Sequence, residues 1–292
     1  MEKENQTQNS LVHHGIIGLL IFIIIVQAMF AMFGDDDDDD EDEFEGAGDT
    51  AYADLVKVHV SDELVKNEQA VKSLASHSEL ADAFTNGDND SIDAANAVLD
   101  NYKADFEVTV CYLMNETGVV IASTNRDTDG SFVGNNYGFR PYYQTAMSGS
   151  PGAYFALGIT SGTRGYYSSF PVKAGDESVL GVVIIKKELD FLEQDFAEEG
   201  KTFLVSQDGI IFLANDPAMV MMSLWELDQG TKDNLTASRE FGDGPFDNVF
   251  TDKPMDGDEV EYKGTEYNVY RRTMGEGGWA VYYLAQGEHD DD

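Results

Sequence analysis

The same short pattern occurs twice in this chain: an apolar strand, a polar turn that ends in glycine, and a second apolar strand. The first copy reads VTVCYLMNETGVVIASTN and the second reads KTFLVSQDGIIFLAND, with Gly209 lying 91 residues after Gly118. When the two glycines are aligned, Tyr112 falls on Phe203, and apolar residues occupy matching places. A hairpin repeated in this way predicts one α/β module that occurs twice, although two unrelated hairpins would give the same pattern.

Hydrophobic spacing around the hairpins predicts the remaining elements. Apolar residues at helical spacing indicate a long amphipathic helix over 52–74 and two shorter helices within 74–88 and 91–105, the second capped by Ser91. The other predicted strands are 165–172, 178–189, 259–274 and 278–285, and the other predicted helices are 190–200 and 219–227, the last followed by an acidic loop. The predicted fold class is α+β, with a long N-terminal helix and a sheet of about five antiparallel strands in each module.

The N-terminal region predicts a membrane anchor. Residues 15–34 are apolar except for Gln27, and twenty residues of helix cover roughly the 30 Å core of a bilayer. A cleaved signal peptide is the alternative, but its apolar region is usually roughly 7 to 15 residues long and ends at a small-residue cleavage site. The run DDDDDDEDE follows, and its mutual repulsion predicts an extended acidic tether over 35–50 rather than a calcium loop, which needs spaced ligands and a glycine turn.

Charge excludes some functions and suggests a setting. The chain has 55 Asp and Glu residues against 18 Lys and Arg residues, a formal net charge of -37. Nucleic-acid binding needs a basic surface, so we expect no nucleic-acid partner, and docking on anionic lipid is disfavoured as well. Such self-repulsion is tolerated best where salt screens it, which suggests a halophilic source.

Neither the cysteine content nor the motifs indicate an enzyme. Cys111 is the only cysteine, so no disulfide forms within the chain, and its apolar neighbours predict a buried strand thiol. The sequence contains no GxSxG, HExxH, CxxC, P-loop or GxGxxG motif, and its five histidines lie in the N-terminal segment, the predicted helices and the tail. We therefore predict no catalytic residues, no metal site and no cofactor.

The stretch 135–167 concentrates aromatic residues, glycines and two arginines, Arg140 and Arg164, in a chain that has few cations. These residue types suggest a pocket for a small carboxylate. The strings SFVGNNYGFRPYYQTAMSG, GAYFALGITSGTRGYYSSFPV and GVVIIKKELDFLE resemble the double-Cache sensor domain of bacterial C4-dicarboxylate sensor histidine kinases, the DctB type. The resemblance covers about 51–284 and is most specific over 131–193.

The resemblance implies a long helix that carries two PAS-like modules, of which the membrane-distal one, here the first, binds the ligand. A C4-dicarboxylate such as succinate, malate or fumarate carries two charges, so its site needs two sets of donors. Arg140 is expected to bind one carboxylate and Lys186 the other, while hydroxyl groups complete the hydrogen bonding. The implied ligand-binding residues are Asn136, Tyr137, Arg140, Tyr142, Tyr143, Ala156, Gly158, Thr160 and Lys186.

The resemblance also implies the organisation of the chain. The sensor is expected to be periplasmic or extracellular, anchored in the inner membrane by a single span, and to form a homodimer through its long helix. A kinase of this family continues into a second span and output domains, so a chain that ends at AQGEHDDD is expected to be a receptor fragment or an anchored ectodomain. The predicted domains are a cytoplasmic segment 1–14, a transmembrane helix 15–34, an acidic tether 35–50, stalk and sensor helices 51–105, a membrane-distal module 106–200, a membrane-proximal module 201–285 and an acidic tail 286–292.

Two other functions stay open. Related domains that bind amino acids pair a similar Arg and aromatic motif with an Asp near the later strand, where this chain has Lys186 and Lys187. An ammonium group would be repelled there, which favours a dicarboxylate. The other alternative is an anchored ectodomain that binds a protein rather than a metabolite.

Several of the singled-out residues also have structural interpretations: Arg164 as a loop brace, Arg271 and Arg272 as partners of nearby carboxylates, and Tyr154, Phe155, Tyr166 and Tyr167 as strand core.

Overall fold

The structure, a computed structural model, describes residues 39–197, 200–275 and 277–287. The predicted segment 1–14, the predicted transmembrane helix 15–34, the first residues of the predicted tether and most of the predicted tail lie outside the described residues. Within the described ranges, no helix combines the length and the apolar character needed to cross a membrane. Both sheets of the protein lie in the unit Asp49–Asp292.

The described part of the chain combines helices with two antiparallel sheets, so the α+β fold class is confirmed. The helices are α1 (Asp39–Leu74), α2 (Ser78–Thr85), α3 (Asn89–Asp105), α4 (Pro141–Met147) and α5 (Gln229–Ser238), with 3₁₀ helices at Asp190–Asp195 and Pro217–Met219. The first sheet contains β1 (Val110–Asn115), β2 (Val120–Ser123), β3 (Gly152–Leu157), β4 (Arg164–Lys173) and β5 (Val179–Lys187). The second contains β6 (Lys201–Val205), β7 (Ile211–Ala214), β8 (Glu259–Tyr262), β9 (Thr265–Thr273) and β10 (Ala280–Gln286).

The two sheets repeat one topology, as the duplicated hairpin predicts. Their strand orders are β2-β1-β5-β4-β3 and β7-β6-β10-β9-β8, which correspond strand for strand. Tyr112 pairs with Ser123 in the first hairpin and Phe203 pairs with Ala214 in the second, each 91 residues further on. A register shift follows at the equivalent place in both hairpins. We call residues 110–187 the first module and residues 201–286 the second module.

Both faces of the first sheet are covered, which explains why its strands are nearly continuous apolar runs. Cys111 and Leu113 of β1 belong to a core cluster that includes residues of α1, α2 and α3. The alternate residues Tyr112 and Met114 belong to a cluster on the opposite face, which includes residues of α4. The pocket described below lies on this second face.

The two modules share an aromatic core. Phe155 of β3 packs against Trp279, with ring centroids 4.2 Å apart, and against Phe212 of β7 at 5.4 Å. Val56 and Val60 of α1 belong to the same cluster. Burial of this much aromatic surface stabilises the contact between the modules and fixes where the second module meets the first.

Two helix starts differ from the sequence prediction. The long helix is already present at Asp39, the first described residue, so it includes part of the segment predicted as an extended tether. The predicted N-cap Ser91 is wrong, because α3 begins at Asn89 and the carboxylate of Asp88 accepts the Ser91 N–H at 2.9 Å. Asp88 is the better cap here because its carboxylate reaches the free N–H of the third helical residue.

The predicted helix over 219–227 is also wrong. Met221 has a left-handed φ of 67°, and the segment pairs with the start of β7: Met221 N–H donates to Ile211 O, and Ile211 N–H donates to Met222 O. Met219 and Leu224 of this segment are buried in the core of the second sheet, and the segment does not wind into an α-helix. The helix of this region is α5, which lies in the sequence predicted as an acidic loop and is capped by Asp228.

Candidate ligand-binding pocket

A pocket opens on the face of the first sheet that carries α4. Its empty volume is about 270 Å³, with the space at its open mouth included. Because this figure counts open solvent, the enclosed part of the pocket is smaller still, which limits it to a small ligand. The residues that line it are Tyr112, Phe132, Tyr137, Arg140, Tyr142, Gly158, Ile159, Thr160, Ser161 and Tyr167.

Arg140 supplies the positive charge of the pocket. It is the N-cap of α4 and precedes Pro141, whose fixed φ suits the first helical position. Its side chain is buried, and two of its N–H groups donate to the carbonyls of Leu157 and Arg239, each at 3.1 Å. No carboxylate of the described residues forms an ion pair with it. Its guanidinium is therefore a buried cation that only neutral acceptors hold directly.

Tyrosine and threonine hydroxyls form the rest of the polar wall. Tyr137 and Thr160 share a hydrogen bond of 2.7 Å, and the hydroxyls of Tyr112 and Tyr142 share one of 2.9 Å. The rings of Tyr142 and Tyr167 stack with centroids 5.2 Å apart. Burial raises the pKa of Tyr112, Tyr142 and Tyr167, so these hydroxyls stay protonated and can donate to an anion.

Lys186 lies beside the pocket but does not line it. Its Nζ donates to Ser161 at 3.0 Å and to Thr163 at 2.5 Å, and it forms a 3.0 Å ion pair with Glu188. Burial lowers the pKa of Lys186, while Glu188 acts in the opposite direction. Ser161, which accepts one of these hydrogen bonds, is itself a lining residue, so the second cation is one hydrogen bond away from the pocket wall.

The loop between β3 and β4 depends on glycine at one of these contacts. A Cβ on Gly158 would lie 2.4 Å from Ser161 Oγ and 3.0 Å from the Tyr167 hydroxyl. The missing side chain therefore lets the loop approach the tyrosine wall closely.

The structure brings five of the nine predicted site residues to the pocket wall: Tyr137, Arg140, Tyr142, Gly158 and Thr160. The other four have structural contacts instead. Asn136 is exposed and binds the Thr117 carbonyl, and the Tyr143 hydroxyl donates to the Asn115 carbonyl. Ala156 is buried in the adjacent core cluster, and Lys186 is held by the loop.

Sequence reasoning missed the other five lining residues: Tyr112, Phe132, Ile159, Ser161 and Tyr167. Tyr112 and Tyr167 alternate with core residues along their strands, and no local pattern separates a pocket tyrosine from a core tyrosine. Ser161 and Ile159 lie within the quoted stretch 135–167, so their position in the loop beside Thr160 was the available signal.

The other singled-out arginines have structural contacts. Arg164 forms an ion pair with Glu193 at 2.7 Å and donates to the carbonyl of Phe212 in the second module. Arg272 forms ion pairs with Asp54 and Asp256, whereas Arg271 donates to the Tyr282 hydroxyl. The brace interpretation of Arg164 fits these contacts.

A segment of the second module closes one side of the pocket arginine. Besides the bond from Arg140 to the Arg239 carbonyl, the Leu157 N–H donates to the Glu240 carbonyl at 2.7 Å. The Tyr154 hydroxyl interacts electrostatically with both Arg140 and the Glu240 carboxyl. Burial raises the pKa of Glu240 to about 7, and the charge of Asp208 adds to this effect.

Comparison with curated proteins finds two bacterial sensors. The chain is 31% identical over 174 residues, 59% of its length, to the C4-dicarboxylate transport sensor protein DctB of Rhizobium meliloti. It is 28% identical over 188 residues, 64% of its length, to the protein of the same name from Pseudomonas aeruginosa. The matches span 28% and 29% of these relatives. No protein-family model matches the chain.

Solved structures share the fold. The crystal structure of the V. cholerae histidine kinase DctB sensor domain matches with a TM-score of 0.76 and 25% identity, covering 82% of this chain and 96% of that one. The ligand-binding domain of the Pseudomonas fluorescens chemoreceptor CtaA, solved with L-alanine, matches with a TM-score of 0.56 and 19% identity, covering 86% and 99%. The second likeness is one of fold alone.

Proposed function

Because the chain carries a double-Cache sensor domain of the DctB type, we propose that its first module binds a small C4-dicarboxylate and reports it as the sensor of a membrane-anchored signalling receptor. The proposed ligands are of the succinate, malate or fumarate class. The proposed location of the sensor is periplasmic or extracellular, with the anchor in the inner membrane. Its role is binding rather than catalysis.

The buried cation of Arg140 is the observation that carries this proposal. A buried charge without an opposite charge is costly, and an anion that enters the pocket would supply the missing partner. The planar guanidinium can form two parallel hydrogen bonds with a carboxylate. The hydroxyls of Tyr137 and Thr160 lie at the same wall and can complete the hydrogen bonding of that carboxylate.

Lys186 is the proposed source of the second positive charge. Ser161 lies between its Nζ and the pocket, so a second carboxylate would meet either that hydroxyl or the ammonium group after a small movement of the loop. Its ion pair with Glu188 is the contact that would have to adjust. A cation in the pocket wall and a second cation beside it favour a dianion over a monoanion.

An amino acid is the second candidate, since the CtaA ligand-binding domain was solved with L-alanine and with L-serine. An ammonium group requires an acceptor, and charged acceptors are the strongest. The described residues that line the pocket include no Asp or Glu, whereas they include Arg140. The composition of the wall therefore favours a purely anionic ligand.

The structure offers a route from the pocket to the long helix. Successive residues of β5 point to opposite faces of the sheet, so Lys186 meets the pocket loop while Lys187 forms a 2.7 Å ion pair with Glu63 of α1. Tyr166 of β4 likewise hydrogen-bonds Glu68 of α1. We propose that ligand binding shifts a two-state equilibrium in which these contacts move with the pocket.

A thermal-shift and calorimetry panel tests the ligand class. At a hundred times its dissociation constant, a ligand that binds only the folded state adds about 2.7 kcal/mol to the unfolding free energy. Succinate, malate and fumarate should stabilise the full chain in high salt, while L-alanine and L-serine should not. The opposite result would assign an amino acid, and no response to either class would favour the protein-binding alternative.

Arg140→Gln tests the site itself. Loss of the guanidinium should weaken dicarboxylate binding by at least about 30-fold, since a buried charged hydrogen bond contributes on the order of 2 kcal/mol or more. Arg126→Gln is the matched control, because Arg126 belongs to the same module but does not line the pocket, and its charge pairs with Asp100 of α3. Equal affinity of Arg140→Gln and the parent would disprove the proposed site.

A further inference from the structure

A chain of three polar side chains crosses from the pocket to the second module. Arg140 lines the pocket, the Tyr154 hydroxyl lies close enough to Arg140 to interact with its charge, and the same hydroxyl interacts with the carboxyl of Glu240. A hydroxyl in this place is able to accept from the guanidinium and to donate to the carboxylate. The cation of the path, Arg140, thus belongs to the first module, and its negative charge, Glu240, belongs to the second.

The backbone holds Glu240 in this place. Its carbonyl accepts the N–H of Leu157, the last residue of β3, at 2.7 Å, and the carbonyl of the preceding residue accepts a bond from Arg140. Arg239 has a left-handed φ of 54° and ends α5, so the chain turns sharply onto the first module at this point. Glu240 is therefore a fixed part of the surroundings of Arg140.

The carboxyl of Glu240 can exchange protons without passing through the pocket. Glu240 lines a second cavity, with an empty volume of about 440 Å³ including open solvent, that is also lined by Asp208, Thr231, Asn234, Leu235 and Ser238. The titratable and charged groups that face it are Tyr154 on β3, Arg140 at the start of α4 and Asp208 in the turn between β6 and β7. Burial and the charge of Asp208 oppose its ionisation, whereas Arg140 and Tyr154 favour it.

We propose that Glu240 of the second module tunes the affinity of the pocket for an anion, because its carboxylate competes with the ligand for the charge of Arg140 and takes up a proton when the ligand binds. This inference rests on the proposed function of the pocket. A carboxylate bound to Arg140 cancels the charge that stabilises ionised Glu240, so the bound state favours the neutral carboxyl. By linkage, protonated Glu240 favours the bound ligand to the same extent.

The experiment measures fumarate affinity of the full chain by calorimetry from about pH 6 to about pH 8.5, a range in which both fumarate carboxyls stay ionised. The parent should bind at least about fivefold more weakly at the upper end, as expected for a coupling between two partly buried charges. Glu240→Gln should remove most of this dependence and should bind more tightly than the parent at the upper end. Titrations in two buffers of different ionisation enthalpy should show proton uptake for the parent and much less for the variant.

Two further variants separate this role from a structural one. Asp208→Asn should keep the pH dependence but move its midpoint to lower pH, because it removes a charge that raises the pKa of Glu240. Glu259→Gln makes the same chemical change at an exposed site on β8 and should behave as the parent. Ionisation of Lys186 can add its own slope, but that slope is common to the parent and to Glu240→Gln.

The outcomes are distinguishable. If fumarate binds to none of these proteins, the proposed function fails. If it binds to the parent and to Glu240→Gln with the same pH dependence, or if Glu240→Gln binds more weakly than the parent at every pH, the role of Glu240 is disproved while the pocket remains a dicarboxylate site. Tighter binding by the variant at high pH is a result that general loss of structure cannot produce.

Discussion

At the scale of single residues, Gly165 shows how a missing side chain makes room for a buried cation. A Cβ at this position of β4 would lie 2.7 Å from Cε and 3.1 Å from Cγ of Lys186. Lys186 is fully buried and held by three polar partners, so it cannot move aside without losing them. We expect Gly165→Ala to lower the unfolding free energy by about 1–3 kcal/mol, the usual range for overpacking a core.

Urea denaturation monitored by circular dichroism measures this change. Gly175→Ala is the matched control, because no heavy atom lies within 4 Å of the Cβ that it would add and its φ is not in the left-handed region. Gly175→Ala should shift the unfolding free energy by less than about 0.5 kcal/mol. Equal stability of the two variants would show that Lys186 is free to move, and would weaken its role as a positioned cation.

The raised pKa of Glu240 also predicts how stability depends on pH. Burial raises its pKa to about 7 in the folded protein from the ordinary value of 4.5, so the folded state binds the proton more tightly than the unfolded state. The resulting stabilisation is fully present below about pH 4.5 and is lost as the pH rises through about 7. Glu240→Gln does not lose this stabilisation as the pH rises. The unfolding free energy of the variant minus that of the parent should therefore be larger at about pH 8 than at about pH 4.5, by about 1–3 kcal/mol.

The difference between variant and parent is the quantity to measure, by urea denaturation at both pH values. Other carboxyls, such as Glu63 beside Lys187 and Lys66, have lowered pKa values and change stability in the opposite direction at lower pH. Their contribution is the same in both proteins and cancels. A variant–parent difference that does not change with pH would contradict the assignment of a raised pKa to Glu240.

The site could be predicted from sequence only where a residue type stood out from the composition. Arg140 was identifiable because a cation is uncommon in so acidic a chain, and the structure places it in the pocket. Tyr167 was assigned an ordinary core role, since a strand tyrosine looks the same in both settings. Glu240 had no sequence signal at all, because one carboxylate among 55 acidic residues is distinguished only by what the fold packs around it.

At the scale of elements, the sequence predicts the elements that a local pattern specifies. It fails for segments whose structure depends on pairing with a distant part of the chain. The duplicated hairpin predicted the first two strands of each sheet, because an apolar run closed by a glycine turn specifies its own partner. The apolar residues of 219–227 suggest a helix, and that prediction is wrong. The segment pairs with β7 instead, and some of its apolar residues are buried there. The polar sequence of α5 buries only Leu235, which is too little for a helical pattern to show.

The exposed apolar stripe of α1 supports the proposed dimer. Leu55, Val58 and Val65 are 45%, 54% and 47% exposed, and their spacing of three and seven residues puts them on one face of the helix. We expect the chain to dimerise through this face and Val58→Glu to shift the equilibrium to monomer, because it places a charge in the seam. Sedimentation equilibrium over a range of concentrations measures the change.

Val133→Glu is the control for this prediction. Val133 is 43% exposed on the first module, outside α1, so the same substitution there should leave the association constant unchanged. A parent that stays monomeric at all concentrations would contradict the proposal. A dimer that is equally stable in Val58→Glu would place the interface elsewhere.

At the scale of the whole molecule, the net charge of -37 predicts that salt stabilises the fold. Most of the cations that lie in the described part of the chain are already committed to carboxylates or carbonyls, so excess acidic groups repel one another across the surface. The screening length falls from about 10 Å at 0.1 M salt to about 3 Å at 1 M, which removes most of this repulsion. Raising KCl from about 0.1 M to about 2 M should therefore raise the melting temperature by roughly 5 °C or more.

Sucrose at matched osmolality is the control, because it stabilises proteins by exclusion without screening charge. If sucrose raises the melting temperature as much as KCl does, charge repulsion is not what limits stability, and the halophilic interpretation of the acidic composition is wrong.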